Sequence, residues 1–377
     1  MKAKALRIGV LTGGGDCPGL NAAIRAVSKS LMINCSAEII GIHDGFLGLI
    51  EQRTKHLNYA DCSGILSQGG TILGTNNSAS PFNFKGKDVS NKVMDYYNSL
   101  GLDGLVVIGG DGSLSIAYEM SKLGMNIVGI PKTIDNDLIG TDRTFGFDTA
   151  ISIVTDALDR LRTTGQSHKR VMILETMGRY AGWIALHAGI AGGADVILIP
   201  EFAYDIDEVA KACKSRMGEQ HYSIVVVAEG SKQAGGEFTI RETKEYSSDP
   251  IRLGGVANVL KMQLEQKLDA EIRATTLGHI QRGGSPTAFD RIFATSLGSY
   301  AASLVANKKF GSVVVLKNNK LCSTSLKNVA NKSRLVTTQD PTLTSALSMG
   351  ICFGNAELVV GLQGLSNEIL GAIDTID

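Results

Sequence analysis

The sequence predicts an α/β protein built on parallel β-sheets. Short β-branched runs alternate with helical patterns along nearly the whole chain, an order typical of right-handed β-α-β crossovers. Several of these runs are apolar at successive positions, as expected of parallel strands that are buried on both faces. Glycine is abundant, at 44 of 377 residues, and it is needed where turns are tight or a ligand approaches the backbone. At roughly 150 residues per domain, the length predicts two or three domains.

The predicted strands are short and spread over the chain. They lie at residues 6–11, 37–42, 105–108, 126–130, 171–174, 196–199, 223–227 and 312–316. A helix is predicted over residues 148–162, where apolar side chains recur at spacings of three and four. A second helix is predicted over residues 251–268, with Asp249 as its N-cap and Pro250 at its first position. No long linker or low-complexity segment marks the domain boundaries.

Charge and cysteine usage exclude several classes of partner. The 37 basic residues balance the 37 acidic residues, so we expect neither nucleic acid nor a membrane surface as a partner. The six cysteines form no CxxC pair, which argues against a zinc site and a disulfide framework. No apolar run approaches the roughly 18 residues of a membrane span, and the apolar stretch near the N-terminus reads as a strand. We therefore expect a cytoplasmic protein.

Glycine-rich loops follow three of the predicted strands. The first covers residues 13–21 and does not fit G-x-G-x-x-G, because Pro18 takes the sixth position, nor does it end in GK[ST]. Exposed amides at a helix N-terminus can nevertheless bind phosphate, and glycine allows a close approach. A tight strand–helix turn is the alternative explanation of this loop.

The second and third loops add acids to this pattern. Residues 109–113 end a strand in two glycines, Asp111 and a third glycine, and Asp111 is in a position to hold Mg²⁺ beside phosphate-binding amides. Residues 131–137 place Asp135 and Asp137 two positions apart, which suits a base and a second carboxylate at one metal–phosphate centre. A capped turn and a solvated turn are the respective alternatives, but three such loops after three strands make a turn-only explanation poor.

Locally placed cations are needed for any anionic ligand, because the net charge is zero. Arg179 and Arg282 lie beside glycines at predicted strand ends, and the guanidinium fork suits phosphate oxygens, so both are preferred over Lys169. His279 is placed to donate a hydrogen bond to phosphate or sugar, and Glu229 to accept from sugar hydroxyls. Taken singly, each of these cations is better explained as a surface charge, and a solvated strand end is the alternative explanation of Glu229.

Together these motifs resemble those of the phosphofructokinase family. The matching segments are GVLTGGGDCPGLNAAIR (9–25), GGDGS (109–113), PKTIDND (131–137), LETMGRYAG (174–182) and LGHIQRGGSP (277–286). They follow the family's order over about residues 5–315. The resemblance implies two similar Rossmann-like parallel-sheet domains with the active site in the cleft between them. The implied larger, donor-binding domain is 1–145 plus about 286–310, and the smaller, sugar-phosphate-binding domain is about 146–285 plus 311–377.

The resemblance also implies an activity, the phosphorylation of fructose 6-phosphate to fructose 1,6-bisphosphate in glycolysis, with ATP as donor and Mg²⁺ as cofactor. Asp135 looks like the base that takes the proton of the sugar 1-hydroxyl. Thr133 and Arg179 look like the groups that steady the transferred phosphoryl group, and Asp111 looks like the carboxylate that binds Mg²⁺. The donor-binding residues implied are Gly14, Gly15, Gly110, Asp111, Gly112 and Ser113. The sugar-phosphate contacts implied are Thr133, Ile134, Asp135, Met177, Gly178, Arg179, Glu229, His279, Ile280, Gln281 and Arg282. Arg170 and Arg273 match two arginines that family members lend across a subunit interface, which implies a homodimer or homotetramer.

Two positions bear on the phosphoryl donor. ATP-using members of the family usually have glycine at both, whereas pyrophosphate users have Asp and Lys; here they are Gly112 and Lys132. The mixed pair resembles the mixed-substrate bacterial subgroup, whose glycine-bearing members use ATP. An Asp at position 112 would obstruct the α-phosphate of ATP, so Gly112 favours ATP. The arginine that many bacterial ATP users carry near Asn77 is absent.

Three alternative functions are weighed against this one. A pyrophosphate-dependent fructose 6-phosphate 1-phosphotransferase is the main one, and Lys132 is the residue that favours it. NAD and lipid kinases share a GGDG-type loop but do not account for the remaining motifs. A non-catalytic regulatory subunit of the same family should lack the base or the metal acid, yet Asp111, Asp135 and Arg179 are all present.

Overall fold

The computed structural model describes residues 5–243 and 251–358. The strands are β1 (Arg7–Thr12), β2 (Glu38–Ile42), β3 (Thr54–Leu57), β4 (Gly104–Gly109), β5 (Ile127–Thr133), β6 (Phe145–Gly146), β7 (Val171–Thr176), β8 (Val196–Leu198), β9 (Ser223–Ala228), β10 (Ile240–Thr243), β11 (Ile251–Leu253), β12 (Ile272–Thr276), β13 (Ser312–Lys317) and β14 (Lys320–Ser325). The helices are α1 (Leu20–Cys35), α2 (Phe46–Glu51), α3 (Ser90–Ser99), α4 (Asp111–Lys122), α5 (Phe147–His168), α6 (Trp183–Ala191), α7 (Ile206–Gln220), α8 (Val256–Glu265), α9 (Ala288–Ala306), α10 (Leu326–Val329) and α11 (Pro341–Ser348), and a 3₁₀ turn covers Gly278–Arg282.

The chain divides into two units. The described part of the first unit is 5–149 with 282–334, and that of the second is 150–243, 251–281 and 335–358. The predicted domain boundaries differ from this division at residues 146–149, 282–285 and 311–334, all of which belong to the first unit. We expected residues 311–334 in the smaller domain, but β13 pairs in parallel with β5, and β14 pairs with β13, so both strands extend the first unit's sheet. The correction follows from strand pairing, which the sequence pattern of residues 312–316 does not specify.

The first unit is built on a sheet in the order β14-β13-β5-β4-β1-β2-β3, with β6 paired to β5. Its central pairs are parallel, and β3 and β14 are antiparallel strands at the two edges. Every residue of β4 is buried, which is why this strand is a continuous apolar run. The chain continues from β1 to β2 on one side, while β4 lies on the other, so the strand order reverses between β1 and β4. Open α/β sheets bind ligands at the carboxyl ends of strands at such a point.

The second unit has a parallel sheet in the order β12-β7-β9-β8. All residues of β7 and β9 are buried, and the side chains of α7 and α8 complete one hydrophobic core around Ile173, Val225 and Leu260. β10 and β11 form a separate antiparallel ribbon. No helix within residues 5–243 and 251–358 is both long and apolar enough to span a membrane.

The α/β fold class and all eight predicted strands are confirmed, as is the helix over 148–162, which α5 contains. The helix predicted over 251–268 is wrong at its start. Residues 251–253 form β11, and the helix begins only at Val256, because Gly254 and Gly255 have φ values of 141° and 91° that no helix contains. The proposed N-cap, Asp249, and Pro250 lie outside the described residues.

Candidate active site

In the first unit, two glycine-rich loops meet at the point where the strand order reverses. The Gly13 amide donates to the Ile108 carbonyl at 2.9 Å, which joins the loop after β1 to the end of β4. A Cβ at Gly13 would lie 2.5 Å from Ser113 Oγ, so this contact requires glycine. The hydroxyl of Thr75 donates to the Gly14 carbonyl and holds the outer side of the first loop. The predicted donor-binding residues of both loops are therefore adjacent.

Helix α4 presents open space at its N-terminus. Gly110 precedes the helix in an extended conformation and no side chain caps it, so the first amides of α4 have no side-chain partner within the described chain. A Cβ placed on Gly112 would meet no described atom within 4 Å. Uncapped amides and the positive end of the helix dipole form an anion-binding site. The geometry thus suits a phosphate beside Gly112.

Two cations lie at the first loop. Lys132, on β5, is only 3% exposed, and its ammonium group donates to the Gly15 carbonyl. The guanidinium of Arg282 packs against Gly15 so closely that a Cβ there would clash with it, and its Nη1 donates to the Asp16 carbonyl at 3.3 Å. The Nε of Arg282 is buried without a hydrogen-bond partner in the described chain. Arg282, which we assigned to the sugar phosphate, therefore lies in the first unit with the donor-binding loop.

The third loop leaves β5 in a fixed conformation. The Asp135 amide donates to Thr133 Oγ1 at 3.1 Å, which sets the carboxylate close to the hydroxyl. Asn136 has a left-handed φ of 52°, and its side-chain oxygen accepts from the Thr144 amide at 3.0 Å. The side chain of Ile134 is buried, so only its backbone is available to a ligand.

Three acids of the first unit, Asp111, Asp135 and Asp137, are held in an environment that favours their neutral forms. Burial raises the pKa of Asp135, while the charges of Arg282 and Lys132 oppose the rise. Burial also raises the pKa of Asp137, and the charges of Asp135 and Asp111 add to this effect. Burial raises the pKa of Asp111, against hydrogen bonds from Ser115 and two backbone amides. A bound cation would relieve this accumulation of carboxylates.

The donor set fits Mg²⁺ held jointly with a ligand's phosphates. Within the described residues, no group of three or more His, Cys, Asp or Glu side chains is arranged to hold a metal ion alone. Mg²⁺ typically uses only one or two carboxylates and completes its octahedron with waters and phosphate oxygens. A half-buried Asp111 beside the open N-terminus of α4 matches that requirement.

In the second unit, three loops meet at the carboxyl ends of β7, β9 and β12. The Gly230 amide donates to the Gly178 carbonyl at 3.1 Å, and the Glu229 amide to Thr176 at 2.9 Å. The fully buried Gln281 accepts from the Met177 amide at 3.2 Å. Met177, Gly178, Glu229 and Gln281, which we predicted as sugar-phosphate contacts, are therefore neighbours. Three other predicted contacts lie on the same loops: Arg179 stacks over the Tyr180 ring, and His279 and Ile280 are exposed.

A carboxylate that the sequence reasoning missed supports this loop. Glu201 accepts from the Gly182 amide at 3.0 Å, just before α6 begins, and from the Val336 amide at 2.9 Å. It therefore fixes the segment that carries Arg179. Its only sequence signal is an acid after the predicted strand 196–199.

Arg170 and Arg273 lie at the opposite end of the same sheet. Arg170 immediately precedes β7, and Arg273 pairs with Met172 in the register of β12 and β7. Both guanidinium groups bind the carboxylate of Glu271. The six residues of β7 separate Arg170 from Met177, which at about 3.3 Å per residue places them roughly 20 Å apart. One chain therefore does not bring these two arginines to the same small ligand as Met177.

The two units are α/β folds on mainly parallel sheets, and in the first unit the uncapped amides of α4, the carboxylates and the buried Lys132 suit the binding of phosphate. The family model for phosphofructokinase matches residues 7–305, so the chain belongs to the phosphofructokinase family, and the resemblance seen in the motifs is confirmed. The ATP-dependent 6-phosphofructokinase 2 of Clostridium perfringens is 47% identical over 361 residues, which cover 93% of this chain and 98% of that protein. A pyrophosphate–fructose 6-phosphate 1-phosphotransferase of Streptomyces coelicolor is 43% identical over 350 residues, covering 93% and 100%. The crystal structure of Pichia pastoris phosphofructokinase in the T-state aligns with a TM-score of 0.75 and 32% identity over 92% of this chain and 37% of that one.

Proposed function

We propose that the protein is an ATP-dependent 6-phosphofructokinase, which transfers the γ-phosphoryl group of ATP to the 1-hydroxyl of fructose 6-phosphate. Family membership and near-full-length relatives with this activity support the proposal. The observation that carries the choice of donor is the open space beside Gly112 at the uncapped N-terminus of α4. A carboxylate at this position would occupy the space that the α-phosphate of ATP needs.

The base in this mechanism is Asp135. Its carboxylate accepts the proton of the sugar 1-hydroxyl as that oxygen bonds to the γ-phosphorus, and the bond to the β-phosphate oxygen breaks to release ADP. Burial raises the pKa of Asp135 towards the working pH, which suits a general base. Thr133 Oγ1 accepts a hydrogen bond from the Asp135 amide and so orients the loop, and we assign its hydroxyl to the transferred phosphoryl group.

Electrostatic stabilisation comes from fixed cations and amides. Asp111 would hold Mg²⁺, which when bound neutralises phosphate charge. Lys132 and Arg282 place positive charge at the loop around Gly15, and the first amides of α4 add the positive end of its dipole. In the second unit, Arg179 supplies a guanidinium for the phosphoryl oxygens. Phosphoryl transfer depends mainly on such alignment and charge, so no covalent nucleophile is required.

Fructose 6-phosphate is assigned to the carboxyl ends of β7, β9 and β12, where Met177, Gly178, Glu229 and Gln281 are neighbours. The 6-phosphate is assigned to Arg170 and Arg273 of a neighbouring copy of the chain. Their position at the other end of the sheet supports this sharing, because a single chain separates them from Met177 by roughly 20 Å. A homodimer or homotetramer is the resulting prediction. The cytoplasmic location stays a prediction from sequence.

Pyrophosphate is the alternative donor, and the buried Lys132 at the first loop is the observation that favours it. Steady-state kinetics of the purified protein with fructose 6-phosphate and Mg²⁺, comparing ATP with pyrophosphate, test the choice. We expect ATP to give the higher kcat/KM. Efficient turnover with pyrophosphate would show that Lys132, and not Gly112, decides the choice of donor. No turnover with either donor would favour the non-catalytic regulatory subunit.

A further inference from the structure

A short segment after α10 contacts both acid-bearing loops of the first unit. We call residues 331–334 the C-terminal brace; they lie beyond residue 305, where the match to the family model ends. We propose that the C-terminal brace orients the Asp111 carboxylate for the metal ion. This inference rests on the proposed function, since it assigns a supporting element to the same metal site.

The brace reaches Asp111 through hydrogen bonds. The Asn331 amide donates to Ser115 Oγ at 2.9 Å, and Ser115 Oγ donates to Asp111 Oδ1 at 3.3 Å. The backbone amides of Asn331 and Lys332 also lower the pKa of the Asp111 carboxyl, against the rise that burial causes. Asn331 has a left-handed φ of 57°, and a left-handed residue turns consecutive amides towards one anion. The carboxylate is thus fixed from two sides, by α4 and by the brace.

The brace is anchored at both of its ends. Before it, the α10 side chains Leu326 and Val329 are each 1% exposed and pack in the same core cluster as Leu114 of α4. At its end, the Arg334 amide donates to the Asp137 carbonyl at 2.6 Å. Arg334 Nη1 also donates to the Asp142 carbonyl at 2.6 Å. The segment therefore has little freedom to move away from Asp111.

Outer partners of a metal ligand matter because they decide where its oxygens point. Their removal typically weakens metal binding by about 10–100-fold. The Ser115 hydroxyl is the member of this chain of bonds that is best suited to mutation, because Ser115→Ala deletes one bond to Asp111 and leaves the brace sequence intact. Ser121→Ala is its matched control, since Ser121 is on the same helix, ten positions after Asp111, and its hydroxyl donates to the Tyr118 carbonyl.

The experiment measures Mn²⁺ binding to the full chain in the presence of ADP by electron paramagnetic resonance. We expect Ser115→Ala to weaken Mn²⁺ binding about 10-fold, Ser115→Thr to retain it, and Ser121→Ala to leave it unchanged. Mn²⁺ affinity of Ser115→Ala within twofold of wild type would overturn the proposal, as would equal losses in Ser115→Ala and Ser121→Ala. Asp111→Asn is the reference, because unchanged Mn²⁺ binding in that variant would remove Asp111 as the metal acid and so contradict the proposed function itself.

A second pair of variants tests the brace directly. The Asn331 side chain is exposed, and its left-handed backbone suits glycine but not a β-branched residue. We expect Asn331→Gly to bind Mn²⁺ as wild type does and Asn331→Val to bind it several-fold more weakly, with the melting temperature recorded for both. Equal Mn²⁺ affinity in the two variants would show that the conformation of the brace does not control the metal site.

Discussion

Substitution of Gly112 by Asp tests the donor assignment most directly. A Cβ at this position meets no described atom within 4 Å, and Gly112 has no left-handed φ, so the substitution introduces neither a clash nor backbone strain. Position 112 is also in the first turn of α4, where a negative charge stabilises the helix by about 0.3–1 kcal/mol. The variant should therefore fold at least as stably as the wild type, and any change in donor use is attributable to the site.

The expected penalty for ATP follows from the charge. Two like charges about 4 Å apart, at an effective dielectric near 20, repel by about 4 kcal/mol. That energy corresponds to roughly a thousandfold in affinity. The ammonium group of the buried Lys132 binds Gly15 in the adjacent first loop and offsets part of the new charge, so this figure is an upper bound. Pyrophosphate has no nucleoside phosphate beyond its second phosphoryl group and escapes this repulsion.

The assay is kcat/KM for ATP and for pyrophosphate in wild type, Gly112→Asp and the uncharged isostere Gly112→Asn. We expect Gly112→Asp to reverse the donor preference and Gly112→Asn to change it much less, because the amide fills the same space without charge. Retention of wild-type ATP use by Gly112→Asp, with an unchanged melting temperature, would refute the reasoning. Equal losses in both variants would assign the effect to size and not to charge.

Three further predictions concern the base, its charge environment and the shared sites. Asp135→Asn should lower kcat by about 10²–10⁴-fold with little change in ATP binding, as measured by calorimetry; near-normal turnover would remove Asp135 as the base. The charge of Lys132 lowers the pKa of Asp135, so Lys132→Met should raise that pKa and move the acid limb of the kcat/KM–pH profile to higher pH; an unmoved limb would contradict this. Arg170→Ala and Arg179→Ala should each be inactive. Mixing the two variants should recover activity, because hybrid oligomers then contain some sites in which both arginines are present. No recovery after subunit exchange verified by mass spectrometry would place Arg170 outside a shared site.

Sequence patterns predicted the buried strands well but missed strands at the edges. β7 and β9 are buried at every position, so they are continuous apolar runs. β12 is an edge strand of the same sheet, and its sequence, with only Ile272 buried, carries no such signal. The apolar residues of β11 fit the helical spacing of α8, and only the backbone conformation of Gly254 and Gly255 separates the two elements.

The catalytic loops were predictable because glycine and acids follow strands in a local, ordered pattern. The groups that hold those loops were not, since their partners are distant in sequence. Ser115 and Asn331 are 216 residues apart and meet through a backbone amide, which any residue except proline provides. Glu271 binds Arg273, two residues further along the chain, but its other partner, Arg170, is 101 residues away and reaches it only through the pairing of β12 with β7.

The position of Arg282 illustrates why motif membership does not fix a residue's neighbours. It belongs to the segment GHIQRGG, whose earlier members His279, Ile280 and Gln281 are in the second unit, whereas Arg282 is in the first, against Gly15. The chain passes from the second unit to the first within this one turn of 3₁₀ helix, at the peptide bond between Gln281 and Arg282. A Cβ at position 15 would clash with that guanidinium, so any larger residue there requires the flexible Arg282 side chain to move. Gly15 and Arg282 are therefore expected to be coupled, so that Gly15→Ala should be less harmful in an Arg282→Ala background than in the wild type.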